Sequence, residues 1–363
     1  MKKKKIKFLC IVGARPNFIK IAPLIEEIKK HPKVEPVLIH TGQHYDYKMS
    51  KIFFETLRIL KPDYNLGIGS KSHAQQTAKI MEKLEIVLLR EKPNLVIVVG
   101  DVNSTLAGAL VAVKLHIPIA HIEAGLRSFD ISMPEEINRK VVDHLSQFLF
   151  CPTKKAVDNL KKEGIKKGVY NVGDIMYDIF LKKIKEIKNN SEILEKNNLK
   201  LNKYYLLTLH RPQNVDNFKN LITILKVLKK SKEEFIFPVH PRTKKQFKKI
   251  AKYKFKNIKF IDPVGYFDML VLEKSAKKII TDSGGIQKEA YWLKVPCITL
   301  RNITEWVETV KSGWNILVGN NEKKIINAIK KFNPCKRKHY NYFGNGNTAK
   351  KIVRHLFKNI IIL

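Results

Sequence analysis

The chain has little of what would staple or anchor it. Its 363 residues include four cysteines, Cys10, Cys151, Cys297 and Cys335, and they lie too far apart for a disulfide framework or a metal-ligand pattern. A reducing compartment follows, and the expected location is the cytoplasm. No apolar run approaches the roughly 20 residues that a bilayer-spanning helix needs; the closing Ile360-Ile361-Ile362-Leu363 is far too short. The start resembles a signal peptide, with four lysines ahead of residues 6–12, but Lys7 breaks the apolar stretch and Gly13-Ala14-Arg15-Pro16 ends it. A first β-strand running into a turn explains this better. Gly/Ser-rich linkers and short-period repeats are absent, and the first turn is not G-x-G-x-x-G, so the dinucleotide fingerprint is missing. Acidic residues are scarce: 33 Asp and Glu against 69 Lys and Arg give a net charge of +36. Such a charge invites a polyanion-binding reading. The lysines, however, are spread over the whole length, in stretches such as 181–188 and 229–232, and Ile and Asn are abundant too. That pattern is a compositional bias on solvated faces. Neither a nucleic-acid nor a membrane partner is expected.

What is present is a repeated alternation of short apolar runs and helical stretches. The length suits two domains. In the first half, residues 6–12, 34–41, 95–99 and 117–122 read as strands, and 18–30 as a helix. The runs are apolar without polar alternation, as in strands buried on both faces of a parallel sheet. The pattern restarts after about residue 165, with strands at 205–209, 235–239, 258–261, 278–281 and 295–300 and helices at 221–230 and 284–293. The fold class is therefore α/β, with two Rossmann-like doubly wound domains. The expected division is 1–168 and 169–345, joined within 162–173, with a last helix at about 346–363 returning to the first domain. Ligands of open α/β sheets bind beyond the carboxyl ends of the strands, and two such edges facing a cleft would make a small-molecule site.

The polar sequences lie where those edges should be. Gly13-Ala14-Arg15-Pro16-Asn17 follows the first strand and opens a helix; with Arg15 and Lys20 it reads either as an anion site or as an ordinary turn with a surface ion pair. Gly100-Asp101-Val102-Asn103-Ser104-Thr105 puts an acid at the end of a buried strand, although Asp, Asn and Ser also cap helices. His121-Ile122-Glu123-Ala124-Gly125-Leu126-Arg127 ends another strand in an acid with no such structural use. Met133-Pro134-Glu135-Glu136 starts a helix, where acids are favourable anyway. Asp101, Glu123 and Glu135 converging from successive loops would form an acid/base cluster in which repulsion and burial push at least one pKa upward. In the second half, His210-Arg211-Pro212 and His240-Pro241-Arg242 follow strands. Asp282-Ser283-Gly284-Gly285 opens a helix either as a phosphate cradle, with Glu289 one turn further, within reach of a ribose diol, or as an ordinary glycine-rich turn with a surface acid.

Taken in order, these segments, together with Thr41-Gly42-Gln43-His44, Pro134-Glu135-Glu136-Ile137-Asn138-Arg139 and Arg301-Asn302-Ile303-Thr304-Glu305, make the chain resemble the non-hydrolysing UDP-N-acetylglucosamine 2-epimerases. The resemblance runs from Gly13 to about Ala349. It implies the GT-B architecture, a UDP-amino-sugar substrate, no metal, no nicotinamide or other cofactor, and a homodimer. It also implies a mechanism. The C2 proton is removed as UDP leaves C1, 2-acetamidoglucal forms, and UDP adds back after a proton reaches the opposite face. By motif, Asp101, Glu123 and Glu135 fall on the catalytic carboxylates and His210 on the active-site histidine. Arg15 and Lys20 match basic residues of the site, and Ser283, Gly284, Gly285 and Glu289 match the UDP site. Two departures stand out. Trp306-Val307 replaces an Arg-Pro pair found in some members, which leaves other UDP-amino-sugars, including diacetamido-uronates, open as substrates. Gln43 and His44 match an activator site, whereas Tyr45-Asp46 does not. A glycosyltransferase on the same donor and a hydrolysing epimerase are the competing enzyme readings.

Overall fold

The structure, a computed structural model, describes residues 5–43, 61–187 and 192–360. Its contacts divide the chain into two units, 1–182 with 341–363, and 183–340.

Among the described residues, the first unit contains strands β1 (Ile6–Val12), β2 (Val34–His40), β3 (Tyr64–Asn65), β4 (Leu95–Val99), β5 (Ile119–Ile122), β6 (Phe148–Cys151) and β7 (Val169–Asn171). They form one sheet in the order β3-β2-β1-β4-β5-β6-β7, and neighbours are parallel, with Cys10 opposite both Leu38 and Ile97. All five residues of β4 are buried, because helices cover both faces of a parallel sheet. The helix Asn103–Lys114 lies so close to the sheet that a Cβ on Gly108 would come 2.8 Å from Ile11 Cδ1.

The second unit contains β8 (Tyr205–Thr208), β9 (Phe235–Pro238), β10 (Ile258–Ile261), β11 (Lys278–Thr281), β12 (Cys297–Thr299) and β13 (Asn315–Leu317), in the order β10-β9-β8-β11-β12-β13. Its larger core packs Leu221, Leu225 and Leu228 of the helix Phe218–Lys230 against Leu207, Phe237, Ile280 and Ile298 of the strands.

Each sheet reverses its winding once, between β1 and β4 in the first unit and between β8 and β11 in the second. The crevice beyond the carboxyl ends of such strands is where doubly wound sheets take ligands. The loops that leave those ends begin at Gly13, Gly100, Leu209 and Asp282.

The division differs from the 168/169 join read from sequence. β7 lies past that point yet pairs with β6, Cys151 opposite Asn171, so it belongs to the first sheet. The contact boundary falls at 182/183, and the chain returns at 341 rather than 346. The return is fixed early: Asp174 N donates to Phe343 O at 2.8 Å. Asp178 then accepts from Thr348 N (3.1 Å) and Ala349 N (2.9 Å) at the start of the helix Thr348–Ile360. That helix packs on the helix Arg15–Ile28. Among the described residues no helix is long and apolar enough to cross a membrane. The cysteines are free thiols, Cys10, Cys151 and Cys297 buried and Cys335 exposed.

Candidate active site

In the first unit the candidate groups gather beside Gly100. The helix Arg15–Ile28 starts directly after β1, with Pro16 in its first turn, where a missing N–H costs nothing. Asn17 ties this start to the neighbouring strand, accepting from Ala14 N (3.1 Å) and donating to Val99 O (2.8 Å). One turn on, the Lys20 ammonium pairs with the Glu123 carboxylate. Gly100 has φ +72°, and a Cβ there would lie 3.1 Å from Asn17 Nδ2, 3.5 Å from Lys20 Nζ and 3.7 Å from Glu123 Oε2. Asp101 follows; its Oδ2 accepts from Arg139 Nη1 at 2.6 Å, and its main-chain O from Asn138 Nδ2 at 2.8 Å. Burial pushes the Asp101 carboxyl above the usual range; Arg139 and Lys20 oppose this, and the charges of Glu123 and Glu135 reinforce it. Lys20 is held above the ordinary lysine value: burial works the other way but is outweighed by Glu123, Asp101 and Asp174. The structure thus brings Asp101, Glu123 and Lys20 together and sets Glu135 within electrostatic reach of Asp101. Arg15 opens the helix, and its side chain lies outside the described residues.

Glu123 is presented by a built turn. It has φ +73°, unusual for a non-glycine residue, and both Glu123 N and Ala124 N donate to Phe150 O at 3.1 Å. Gly125 must be glycine: at φ +77° a Cβ would come 2.4 Å from Ala156 O. Beneath the turn lies a buried network that the motif alone does not disclose. His121 makes Nδ1···Asp143 Oδ1 (2.7 Å) and Nε2···Gly100 O (2.8 Å) contacts. Asp143 Oδ2 accepts from Arg127 Nη1 (2.7 Å) and Gly125 N (3.1 Å), and Arg127 forks onto Glu163 at 2.7 and 2.6 Å. Asp143 sits below the usual carboxylate range; burial alone would raise it, but His121 and Arg127 outweigh that. These bonds lock the β4 and β5 loop ends, and with them Asp101 and Glu123.

The two acids of the Pro134 helix divide. Glu136 is fully buried and accepts from Ser128 N (2.8 Å), Ser128 Oγ (2.9 Å), Phe129 N (3.0 Å) and Arg139 Nη2 (2.7 Å). It latches the preceding loop, while Glu135 stays partly exposed. The capping alternative for 101–104 is not what the chain adopts. The N-cap of the helix Asn103–Lys114 is Val102, without a side-chain bond. Asn103 Nδ2 donates instead to Gln76 Oε1 (2.9 Å), and Ser104 Oγ to Gln43 Oε1 (2.6 Å). Gln43 is committed inward; His44, Tyr45 and Asp46 lie outside the described residues.

In the second unit the site is organised by Asp282, a residue given no role in the sequence reading beyond its place in the turn. Fully buried at the end of β11, it accepts from His210 N (3.0 Å), Arg211 N (3.0 Å) and Asn214 Nδ2 (3.0 Å), and His210 Nδ1 lies 3.2 Å from Oδ1. Burial would raise its pKa, but the His210 and Asn214 bonds bring it below the usual range. The β8 loop is thereby tied to the β11 loop, with His210 part-exposed between them. Ser283 caps the helix Gly284–Trp292, its Oγ accepting from Ile286 N at 3.4 Å. The two glycines differ. A Cβ on Gly284 would meet Glu305 Oε1 at 2.8 Å and Trp306 Nε1 at 3.2 Å, whereas one on Gly285 would meet only its neighbour Ser283 Oγ, at 3.8 Å. Gly284 is required by packing; Gly285 leaves the helix start open to a ligand. Glu305 pairs with Arg301 (2.8 Å) and lies 3.8 Å from Arg211. Despite burial, these arginines hold its carboxyl down at about 2. Arg301 and Glu305 were visible in sequence only as part of a motif. Glu289 is buried on the same helix.

The first unit offers carboxylates in unequal fields beside an ammonium, a setting for proton transfer. The second offers a helix start, a histidine and arginines, a setting for a diphosphate. Among the described residues no group of His, Cys, Asp and Glu could hold a metal ion.

Comparison with known proteins gives concordant matches. The family model described as UDP-N-acetylglucosamine 2-epimerase matches residues 26–357. A Methanococcus maripaludis protein called a UDP-N-acetylglucosamine 2-epimerase homolog is 57% identical, over 97% of this chain and 99% of its own. The Pseudomonas aeruginosa UDP-2,3-diacetamido-2,3-dideoxy-D-glucuronate 2-epimerase is 42% identical, over 97% and 100%. The crystal structure of Methanocaldococcus jannaschii UDP-GlcNAc 2-epimerase, in complex with UDP-GlcNAc and UDP, superposes with a TM-score of 0.90 at 47% identity, covering 97% of this chain and 100% of that one.

Proposed function

This chain belongs to the UDP-N-acetylglucosamine 2-epimerase family, and on that premise we propose that it interconverts UDP-N-acetylglucosamine and UDP-N-acetylmannosamine. The observation that carries the reading is the meeting of Asp101, Glu123 and Lys20 at the carboxyl edge of the first sheet, with Glu135 in range. Removal of the C2 proton needs a base, and return of a proton to the other face needs an acid. Lys20 pairs with the Glu123 carboxylate, while burial raises the Asp101 carboxyl against the pull of Arg139 and Lys20. Two neighbouring carboxyls with such unequal environments divide naturally into base and acid. The Ser283-Gly284-Gly285 helix start and His210 take the diphosphate, whose charge grows as the C1–O bond breaks. Glu289 takes the ribose. Arg15 adds to the diphosphate site by its motif position. The family resemblance implies that neither a metal nor another cofactor is needed.

A second substrate reading has its own support. The Pseudomonas relative acts, by its name, on a UDP-diacetamido-uronate, and this chain carries Trp306 where some family members have arginine. Trp306 packs at the start of the UDP helix. Proton NMR of the protein with UDP-N-acetylglucosamine in deuterated water decides. UDP-N-acetylmannosamine bearing deuterium at C2 is the expected product. Free N-acetylmannosamine would instead make the chain a hydrolysing epimerase, and turnover of the diacetamido-uronate alone would select the second substrate. A cytoplasmic homodimer completes the reading. The free thiols support the compartment and the family resemblance supports the dimer, which light scattering would verify.

A further inference from the structure

Glu273 is a buried acid that the reaction does not use. It lies in the last turn of the helix Tyr266–Ser275 with no solvent exposure. Among the described residues neither carboxyl oxygen finds a fixed N–H or O–H donor. Its hydrogen-bonding neighbour is another carboxyl, that of Glu289 on the adjoining helix. The other titratable groups that bear on it are Tyr204, whose hydroxyl is committed to Leu272 O at 2.7 Å, and the buried Cys297 thiol. Burial raises both of these, Cys297 to about 12, so both are neutral. The cation next in sequence, Lys288, stacks on the Trp306 ring at 3.9 Å. Two carboxyls in hydrogen-bonding contact, away from water, can bond only if one of them keeps a proton.

We propose that Glu273 is a positioning residue for ribose recognition: its carboxyl keeps a proton, donates it to the Glu289 carboxylate, and so holds Glu289 ionised and oriented to accept from the ribose diol. The proposal rests on the reading of Glu289 as the ribose ligand. Burial and the charge of Glu289 both act to keep the Glu273 proton in place. The arrangement explains why a fully buried acid faces a ligand-binding acid: a donor there leaves both lone-pair faces of the outer carboxylate oxygen for the substrate.

Three variants and two ligands test it by calorimetry: UDP, and 2′,3′-dideoxy-UDP, which lacks the diol. Glu273→Gln carries an N–H donor and should keep the UDP affinity within about threefold, the scale of a conserved neutral hydrogen bond. Glu273→Met has similar length and no donor; it should weaken UDP by about tenfold or more and leave the dideoxy analogue unchanged. Glu289→Ala should weaken UDP and not the analogue. Unchanged UDP affinity in Glu289→Ala would sink the ribose reading, and the proposal with it. Weakening in Glu289→Ala beside wild-type affinity in Glu273→Met would overturn the proposal alone. Should Glu273→Met fail to fold, melting of Glu273→Gln against wild type decides. The native state holds a proton that the unfolded state releases above about pH 4.5, so wild-type stability falls as pH rises. The melting advantage of Glu273→Gln should therefore grow from pH 5 to pH 8. Parallel pH dependences would overturn the proposal.

Discussion

Replacing Glu123 by glutamine tests the site at the point where structure and chemistry bear on each other most. The substitution keeps the shape of the side chain and the turn at φ +73°, and removes one negative charge from the pair with Lys20. Both partners are largely buried, 8% and 13% exposed. Breaking a buried ion pair by removing one partner costs about 3–5 kcal/mol when the remaining charge is stranded. Lys20 is not stranded, because Asp101 and Asp174 also act on it. The stability loss should accordingly be about 1–3 kcal/mol, leaving a folded protein for assay. UDP binding should stay within about tenfold of wild type, since an acid–base group acts chiefly on the transition state. Turnover should fall by on the order of a hundredfold or more. The assay is deuterium entry at C2 in deuterated water, with calorimetry for UDP and a melting curve for the fold. Near-normal exchange in a folded Glu123→Gln protein would refute the acid–base assignment. Loss of UDP binding parallel to the loss of exchange would make Glu123 a binding group instead.

Other consequences follow from the same geometry. Glu289→Ala should weaken UDP by about 1–3 kcal/mol, the range for a hydrogen bond to a charged group, measured by calorimetry. Gly284→Ala places a methyl 2.8 Å from Glu305 Oε1 and should lower stability by about 1–3 kcal/mol, whereas Gly285→Ala, whose methyl would make an ordinary 3.8 Å contact with Ser283 Oγ, should melt like wild type and bind UDP less well. Equal melting of the two would refute the packing distinction. Glu305, held at about 2 against an ordinary 4.5, stabilises the fold above about pH 4.5, and that contribution is lost as pH falls toward 2. A contribution on the order of 3 kcal/mol at neutral pH follows from the shift, and Glu305→Gln should flatten the acid limb of a pH–melting profile.

What the sequence determined by itself is what local chemistry dictates. Residues 95–99 were legible as a strand because a run buried on both faces must be apolar throughout, and 6–12, 258–261 and 278–281 because short runs rich in β-branched and aromatic residues alternate with helical stretches, despite Lys7, Lys259 and Lys278. The site positions were legible because ligand groups of a doubly wound sheet can only leave from strand ends, where Gly13, Gly100, Gly125 and Gly284 mark the turns. Short strands carried too little signal: β7 has three residues, none of them buried, so the domain join was placed ahead of it. Pairing with β6 is a long-range fact, and only the tertiary structure decided it. The same holds for partners. Asp101, Asn103 and Ser104 all have the chemistry of a cap, and Arg139, Gln76 and Gln43, brought from distant segments, assign them other work. Lys20 reads in sequence as part of either an anion site or an ordinary turn, and in the structure it faces Glu123. Asp282 reads as one more turn acid, yet holds the β8 loop through three donors. Residue type sets what a side chain is able to do; which of its possible partners it meets depends on contacts between residues far apart in the chain, and those exist only once the sheets have formed.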